Sequence, residues 1–254
     1  MFQIKDRRKV KGGKKEKIKC VLVGDGAVGK SSLIAAYAQD TFREDYQPTA
    51  YDTFNVVVDV DDRPLCVEIC DTAGQVYIGG FTTPRAGRHG RLPPAPIIKK
   101  KLTHWNTLAT DTETKSEPRW EDGYDSMSEL RELCYPGTDV LMLCFSVVRP
   151  ETFRSVAERW TKAVANVNAP LILVGTQSDL AQDSRVLQTL KGRGEHVVSE
   201  IEAKALAAKI DAVYIETSAK TRKQLKDAFD AAILAGLPIR HRKKPFWKKL
   251  LCLT

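Results

Sequence analysis

Two rhythms of apolar and polar positions organise this chain. Ile18 to Val23 is a short, nearly unbroken apolar run that stops at Gly24, the pattern of a buried strand. Ser31 to Ala38 follows in helix-forming residues. Phe54 to Val60 and Leu65 to Cys70 are β-branched runs joined by Asp61-Asp62-Arg63-Pro64, a turn composition, and predict a hairpin. Farther on, Val140 to Val148 reads as a strand, and Pro150 to Val167 as a helix opened by proline. Leu171 to Val174 is a strand, Ile201 to Ile210 a helix, Val213 to Thr217 the last strand and Leu225 to Ala235 the last helix. Strands alternating with helices mean βαβ units, and so an α/β fold whose mostly parallel sheet is covered on both faces.

Between Gln75 and Glu121 the rhythm stops. The stretch holds Arg91-Leu92-Pro93-Pro94-Ala95-Pro96, a Lys99-Lys100-Lys101 run and a polar Thr/Asp/Glu tract. Without periodicity, and too long for an ordinary loop, residues 76–120 read as a disordered insertion. Pro93 and Pro96 have PxxP spacing, but Arg91 and Lys99 sit off the offsets an SH3 ligand uses, so solvated filler is the reading preferred.

Composition narrows the class. Of 254 residues, 43% are apolar and 28% charged, which is globular. No apolar run approaches the roughly 18 residues of a membrane span, and the lysine-rich start has no apolar stretch behind it to make a secretory signal. The six cysteines (20, 66, 70, 134, 144, 252) and four histidines (89, 104, 196, 241) show neither disulfide nor zinc spacing, so reduced thiols in a cytosolic protein are expected. The net charge of +8 is uneven: residues 1–19 carry +7, 76–120 carry +5 and 240–254 carry +6, leaving −10 on the rest. An acidic body with basic appendages fits an anionic membrane better than nucleic acid, which needs a basic folded face.

The chemistry begins at Gly24-Asp25-Gly26-Ala27-Val28-Gly29-Lys30-Ser31, then Ser32, which matches GxxxxGK[ST] between a strand and a helix. Such a loop turns backbone N–H groups inward around phosphate oxygens, and the helix adds the positive end of its dipole. Lys30 supplies charge to the β- and γ-phosphates, and the Ser31 hydroxyl is a hard oxygen for Mg²⁺. Asp71-Thr72-Ala73-Gly74-Gln75 ends a strand: Asp71 can hold the metal, Gly74 offers an N–H to a γ-phosphate, and Gln75 can orient an attacking water. In Thr176-Gln177-Ser178-Asp179, the Asp179 carboxylate can accept from the two adjacent donors of guanine, which adenine lacks. Glu216-Thr217-Ser218-Ala219-Lys220 ends the last strand, where a backbone N–H can reach the base carbonyl.

Together GDGAVGKS, YQPTAYD, DTAGQ, TQSD and ETSAK resemble the Ras-like small GTPases, and within them the Rho family, over residues 18–239 apart from 76–120. TQSD, Leu141 to Val148, and the charged segment from Asp183 to Val198, where Rho proteins carry an insert helix, are Rho-like; Phe246-Trp247-Lys248-Lys249-Leu250-Leu251-Cys252 is most like the atypical Wrch (RhoU/RhoV) subgroup. The resemblance implies a P-loop G domain with a six-stranded sheet containing one antiparallel hairpin strand. It implies Thr49 as a second metal and γ-phosphate ligand, Tyr46 over the phosphates and Phe42 against the guanine, beside Thr176, Gln177, Asp179, Ser218, Ala219 and Lys220. Tyr46, Gln47, Pro48, Thr49, Ala50, Tyr51 and Asp52 would form the effector surface. The activity implied is a Mg²⁺-dependent GTP/GDP switch with catalytic Gln75, Lys30 and Thr49. No arginine stands out as a cis finger, so slow intrinsic hydrolysis is expected. Exchange factors, GTPase-activating proteins and CRIB-type or kinase effectors are the implied partners, and actin organisation, cell shape and polarity the implied outputs, with the protein a monomer.

Two departures qualify this. The insertion follows Gln75 directly, inside the second switch; removing it joins DTAGQ to Glu121-Asp122-Gly123-Tyr124-Asp125, and the alternative reading is a hydrolysis-impaired, GTP-bound scaffold. At the other end, Cys252 is followed by only two residues where a prenylation box needs three. A cysteine beside six basic residues suits S-palmitoylation, with acyl chain and basic patch as the two anchoring signals. The expected organisation is a basic arm (1–17), the interrupted GTPase domain (18–239) and a membrane-targeting tail (240–254). The expected location is the cytoplasmic face of the plasma membrane and endosomes, with a cytosolic pool.

Overall fold

The computed structural model describes residues 17–42, 49, 51–61, 63–74 and 131–237. The basic arm, the insertion, Gln75, most of the first switch (Tyr46, Gln47, Pro48 and Ala50 among it) and the tail with Cys252 lie outside the described residues. Chain order is β1 (Lys17–Val23), α1 (Lys30–Ala38), β2 (Tyr51–Val60), β3 (Arg63–Thr72), β4 (Val140–Ser146), α2, β5 (Leu171–Thr176), α3 (Ser184–Gly192), α4 (Glu200–Lys209), β6 (Ala212–Glu216) and α5 (Leu225–Gly236). Helix α2 runs through Pro150–Ser155, a π-helical turn Val156–Trp160, and Thr161–Ala163.

The sheet has six strands in the order β2-β3-β1-β4-β5-β6. Only β2 and β3 pair antiparallel; β1 runs parallel to both β3 and β4, and β4-β5-β6 continue parallel. The expected α/β architecture is the one observed. Alternation along each strand sends side chains to opposite faces and splits the core in two. Ile18, Cys20 and Leu22 join Val140, Met142 and Cys144 under α1 and α5, while Val21 and Val23 join Leu141, Leu143 and Phe145 under α2 and α4.

Local chemistry sets the element ends. Ser199 and Glu202 form a reciprocal capping box that starts α4. Asp183 caps α3 by accepting from the N–H groups of Arg185 and Val186, so the charged segment after the TQSD string contains a helix. Two expected spans are shorter than their apolar runs. β4 stops at Ser146, where the Ser146 N–H donates to Thr152 Oγ1 and Val147 N–H turns to Thr176 O. α2 ends at Ala163, beyond which Ala165 and Val167 make tight-turn bonds to Lys162 O and Val164 O. No helix among the described residues is long and apolar enough to cross a membrane.

On the α1–α5 side, Phe229 is buried and stacks on Tyr37 with ring centroids 3.9 Å apart. Phe229→Ala removes that stack and leaves a cavity under β1, costing about 3–5 kcal/mol. Chemical denaturation at fixed nucleotide and Mg²⁺ checks this; a loss below about 1 kcal/mol contradicts the packing described.

Candidate functional site

The chemistry-bearing strings sit at the carboxyl ends of β1, β3, β5 and β6, on one edge of the parallel sheet. That edge is where open α/β sheets bind ligands. The loop Gly24 to Gly29 connects β1 to α1 and depends on its glycines. A Cβ on Gly24 (φ +147°) would collide with the Cys144 carbonyl oxygen, and Gly29 (φ +91°) is in the left-handed region. Ala27, with φ +59°, holds the left-handed conformation without being glycine, so its surroundings must enforce it.

Those surroundings are a set of donors to the loop's carbonyls. The Lys30 ammonium donates to Gly24 O at 2.9 Å and Asp25 O at 3.0 Å. Arg149 Nη1 donates to Gly26 O at 3.2 Å, and Gln177 Nε2 to Ala27 O at 3.4 Å. The Thr176 hydroxyl donates to Val28 O at 2.5 Å and to Phe145 O at 2.9 Å. Gly29 O accepts from Leu33 N–H in the first turn of α1. Every carbonyl from 24 to 29 is therefore met by a donor. All peptides here are trans, so the Gly26, Ala27 and Val28 carbonyls, held against the protein, turn the N–H groups of residues 27–29 the other way, into the concavity of the loop. An anion at this place meets a row of donors.

An acid inside such a loop would repel phosphate if it pointed inward. Asp25 does not: it is 7% exposed, and its Oδ1 accepts from Ser155 at 2.8 Å and from Trp160 Nε1 at 2.7 Å. The π-helical turn in α2 ends at Trp160. Trp160 also lies under the Arg131 guanidinium, 4.9 Å from its ring centroid, and Arg131 donates to Ala73 O at 3.2 Å. The phosphate loop and the start of the Ala73-Gly74 segment thus lean on one indole.

Lys30 is 6% exposed, and burial pulls its ammonium below the ordinary lysine value while Asp71 opposes the shift. Burial pushes the Asp71 carboxyl above the ordinary range, against the Ser31 hydroxyl, the Lys30 charge and the Thr49 hydroxyl, which favour its ionised form. Ser31 Oγ and Thr49 Oγ1 are 2.8 Å apart, and Asp71 Oδ1 is buried with no hydrogen-bond partner. Three hard oxygen ligands converge, one of them an unsatisfied carboxylate oxygen. That donor set fits Mg²⁺. A Cβ on Gly74 would run into Lys30 Nζ and the Asp25 carbonyl, so the backbone there approaches as closely as only glycine allows.

On the base side, Asp179 is half-buried, and its Oδ1 accepts from Ser218 at 2.6 Å. The Ser218 hydroxyl in turn accepts from Thr221 N–H, which fixes its rotor. Oδ2 and the remaining lone pairs of Asp179 can serve a ligand's paired donors. Gln177 is left-handed at φ +60°, and Ser146 donates to its Oε1 at 2.6 Å, fixing the amide so that Nε2 reaches Ala27. Arg222 pairs with Asp40 through both the carboxylate and the backbone carbonyl, tying the segment of Phe42, itself 40% exposed, to the loop of Ser218, Ala219 and Lys220.

The structure therefore brings Gly24 to Ser31, Asp71, Gly74 and Thr49 into one group, and Gln177, Asp179 and Ser218 into an adjoining one. Ser32 follows Ser31 in the first turn of α1; Tyr51 and Asp52 are exposed at the start of β2, the edge strand. Thr176 acts here as a strut to the phosphate loop. Reading the sequence missed Ser146, Arg149, Ser155, Trp160 and Arg131. Only Asp25 carried a signal, since an acid in a phosphate loop needs an outward anchor.

The Ras family matches residues 19–83 and 121–236, and the break between them falls inside the insertion. Rho-related GTP-binding protein RhoV from Rattus norvegicus, Bos taurus and Homo sapiens is in each case 38% identical, over 93% of this chain and 87% of the relative. The Gly24–Ser31 loop, the Ser31, Thr49 and Asp71 oxygens, the Asp179 carboxylate and these relatives agree: the chain belongs to the Rho family of Ras-like GTPases, of the RhoU/RhoV type, a GTP-binding signalling switch with GTP hydrolase activity.

Proposed function

We propose that this protein is a membrane-associated Rho switch that hydrolyses GTP slowly and signals to the actin cytoskeleton, cell shape and polarity. The observation that carries the nucleotide reading is the run of outward carbonyls from Gly26 to Gly29, each with its donor, beside a lysine ammonium held by the Gly24 and Asp25 carbonyls. Lys30 holds the β- and γ-phosphates, and Gly74 N–H meets the γ-phosphate. Ser31, Thr49 and Asp71 would hold Mg²⁺, which supplies charge neutralisation to the phosphates when bound. Gln75 orients the attacking water, and Phe42 covers the base.

Asp179 selects guanine because its acceptors match two donors that adenine does not present, and an unpaired half-buried carboxylate is costly. Exposed Tyr51 and Asp52, with Tyr46 to Ala50 before them, form the effector surface. CRIB-type or kinase effectors, exchange factors and activating proteins are the partners proposed. Membrane attachment rests on Cys252 beside Arg240, Arg242, Lys243, Lys244, Lys248 and Lys249, with Phe246 and Trp247 at the lipid interface. The location proposed is the cytoplasmic face of the plasma membrane and endosomes, with a cytosolic pool.

Two outcomes check this. Asp179→Asn should weaken GTP binding roughly 10- to 100-fold and shift preference toward xanthine nucleotides, whose acceptor complements the new amide. Nucleotide titration reads both, and unchanged GTP affinity sinks the base assignment. Cys252→Ser should move the protein from membrane to soluble fractions, because a basic patch without an acyl chain is one anchoring signal short of two. Retention on membranes after that change means the anchor lies elsewhere.

A further inference from the structure

Arg149 belongs to none of the nucleotide-binding strings, yet its side chain reaches the phosphate loop. Its Nη1 donates to Gly26 O at 3.2 Å while Nε pairs with Glu151 Oε1 at 2.9 Å. The backbone beneath it is equally tied. Arg149 N–H donates to Ser146 O, and Arg149 O accepts from both the N–H and the hydroxyl of Thr152. The following Pro150 opens α2. A planar fork held at one edge by a carboxylate, on a fixed backbone, is pre-organised for the bond it makes at the other edge.

The acceptor of that bond gives it meaning. Gly26 O and Ala27 N–H are two ends of one trans peptide, so fixing the carbonyl outward fixes the N–H inward. A cationic donor on the carbonyl also polarises the peptide and strengthens the N–H as a donor. Ala27 is the non-glycine left-handed residue of the loop, the peptide most in need of an outside hold. Its own carbonyl and that of Val28 are met by neutral side chains, Gln177 and Thr176. Lys30, which serves Gly24 and Asp25, is a member of the loop motif itself. Among the described residues, Arg149 is thus the charged donor brought to these carbonyls from outside the motif.

We infer that Arg149 is a positioning residue for GTP hydrolysis, acting through the Gly26–Ala27 peptide to hold and strengthen one phosphate donor. In the reaction, a water oxygen bonds to the γ-phosphorus and the bond from that phosphorus to the β,γ-bridging oxygen breaks. The electron pair stays on GDP, and the water's proton passes to the released phosphate. Negative charge shifts between phosphate oxygens as this happens, and a donor already aimed and polarised favours the shifted distribution. Arg149 acts through its bond to the Gly26 carbonyl, so its effect passes through geometry and polarisation.

This inference rests on the Gly24–Ser31 loop being the GTP cradle, so GTP loading of the unaltered full chain is measured first. Failure to load overturns the cradle reading. With loading established, single-turnover hydrolysis, GTP dissociation and thermal midpoint are compared for the wild type, Arg149→Met and Arg149→Lys, all with saturating Mg²⁺. Arg149→Met keeps the stem and removes the fork. It should slow hydrolysis of bound GTP by roughly ten-fold, with a thermal midpoint near wild type. Arg149→Lys, which restores a charge, should recover part of the rate. Equal hydrolysis in wild type and Arg149→Met overturns the inference. So does a rate lost equally in both variants together with a lowered midpoint, because that pattern means a structural prop alone.

Discussion

A loop that closes around phosphate has to show its N–H groups to the anion, and a trans peptide holds its N–H and C=O in opposite directions. The carbonyls of the same loop must then face the protein, where each needs a donor or costs free energy. Here that requirement recruits residues from far along the chain. Arg149 comes from the turn after β4, Thr176 and Gln177 from the end of β5. Asp25 adds a side-chain anchor to Ser155 and Trp160 in α2. The phosphate cradle is in this sense the inner surface of a hydrogen-bonded shell.

The parallel sheet makes the shell possible. With β1 central and β3, β4 and β5 parallel beside it, the carboxyl ends of four strands open on one edge. The same edge carries Asp71 from β3 and, one strand beyond β5, the Ser218 loop from β6. The Gly24–Ser31 loop, the oxygens of Ser31, Thr49 and Asp71, and the Asp179 carboxylate consequently share one edge of the sheet. Thr176 bonds the P-loop while Asp179, three residues on, is oriented by Ser218. Trp160 extends these contacts to Ala73 through Arg131, so the Ala73-Gly74 segment leans on the same scaffold.

Much of this was legible in the residues. Apolar runs located the inner strands because a strand covered on both faces is nearly all apolar, β-branched and apolar residues located the edge strands β2 and β6, and the turn chemistry of Asp61 to Pro64 paired β2 with β3. GxxxxGK[ST], DTAGQ and TQSD each carry a chemical requirement at fixed spacing, which is what marks Lys30, Ser31, Asp71 and Asp179 as candidates in the sequence alone. What escaped was side-chain support across long sequence separations. Nothing in the Pro150 to Ala163 pattern says that Trp160 and Ser155 face Asp25, or that the helix widens into a π turn there. Arg149 looked like a charged turn residue because its acceptor is a backbone carbonyl 123 positions away. The insertion limits the reading for a different reason: residues 76–120 have no periodicity from which structure can be argued.

The central claim is that outward carbonyls leave a row of inward N–H groups that bind phosphate. Scalar coupling across hydrogen bonds between ¹⁵N and ³¹P measures this directly on the ¹⁵N-labelled full chain loaded with Mg²⁺ and GDP. Couplings from the nucleotide's phosphorus atoms to amides within Ala27 to Ser31, together with slowed hydrogen exchange at those amides, are the predicted result. A loaded protein whose amides in that run show no coupling and exchange freely with solvent would contradict the account.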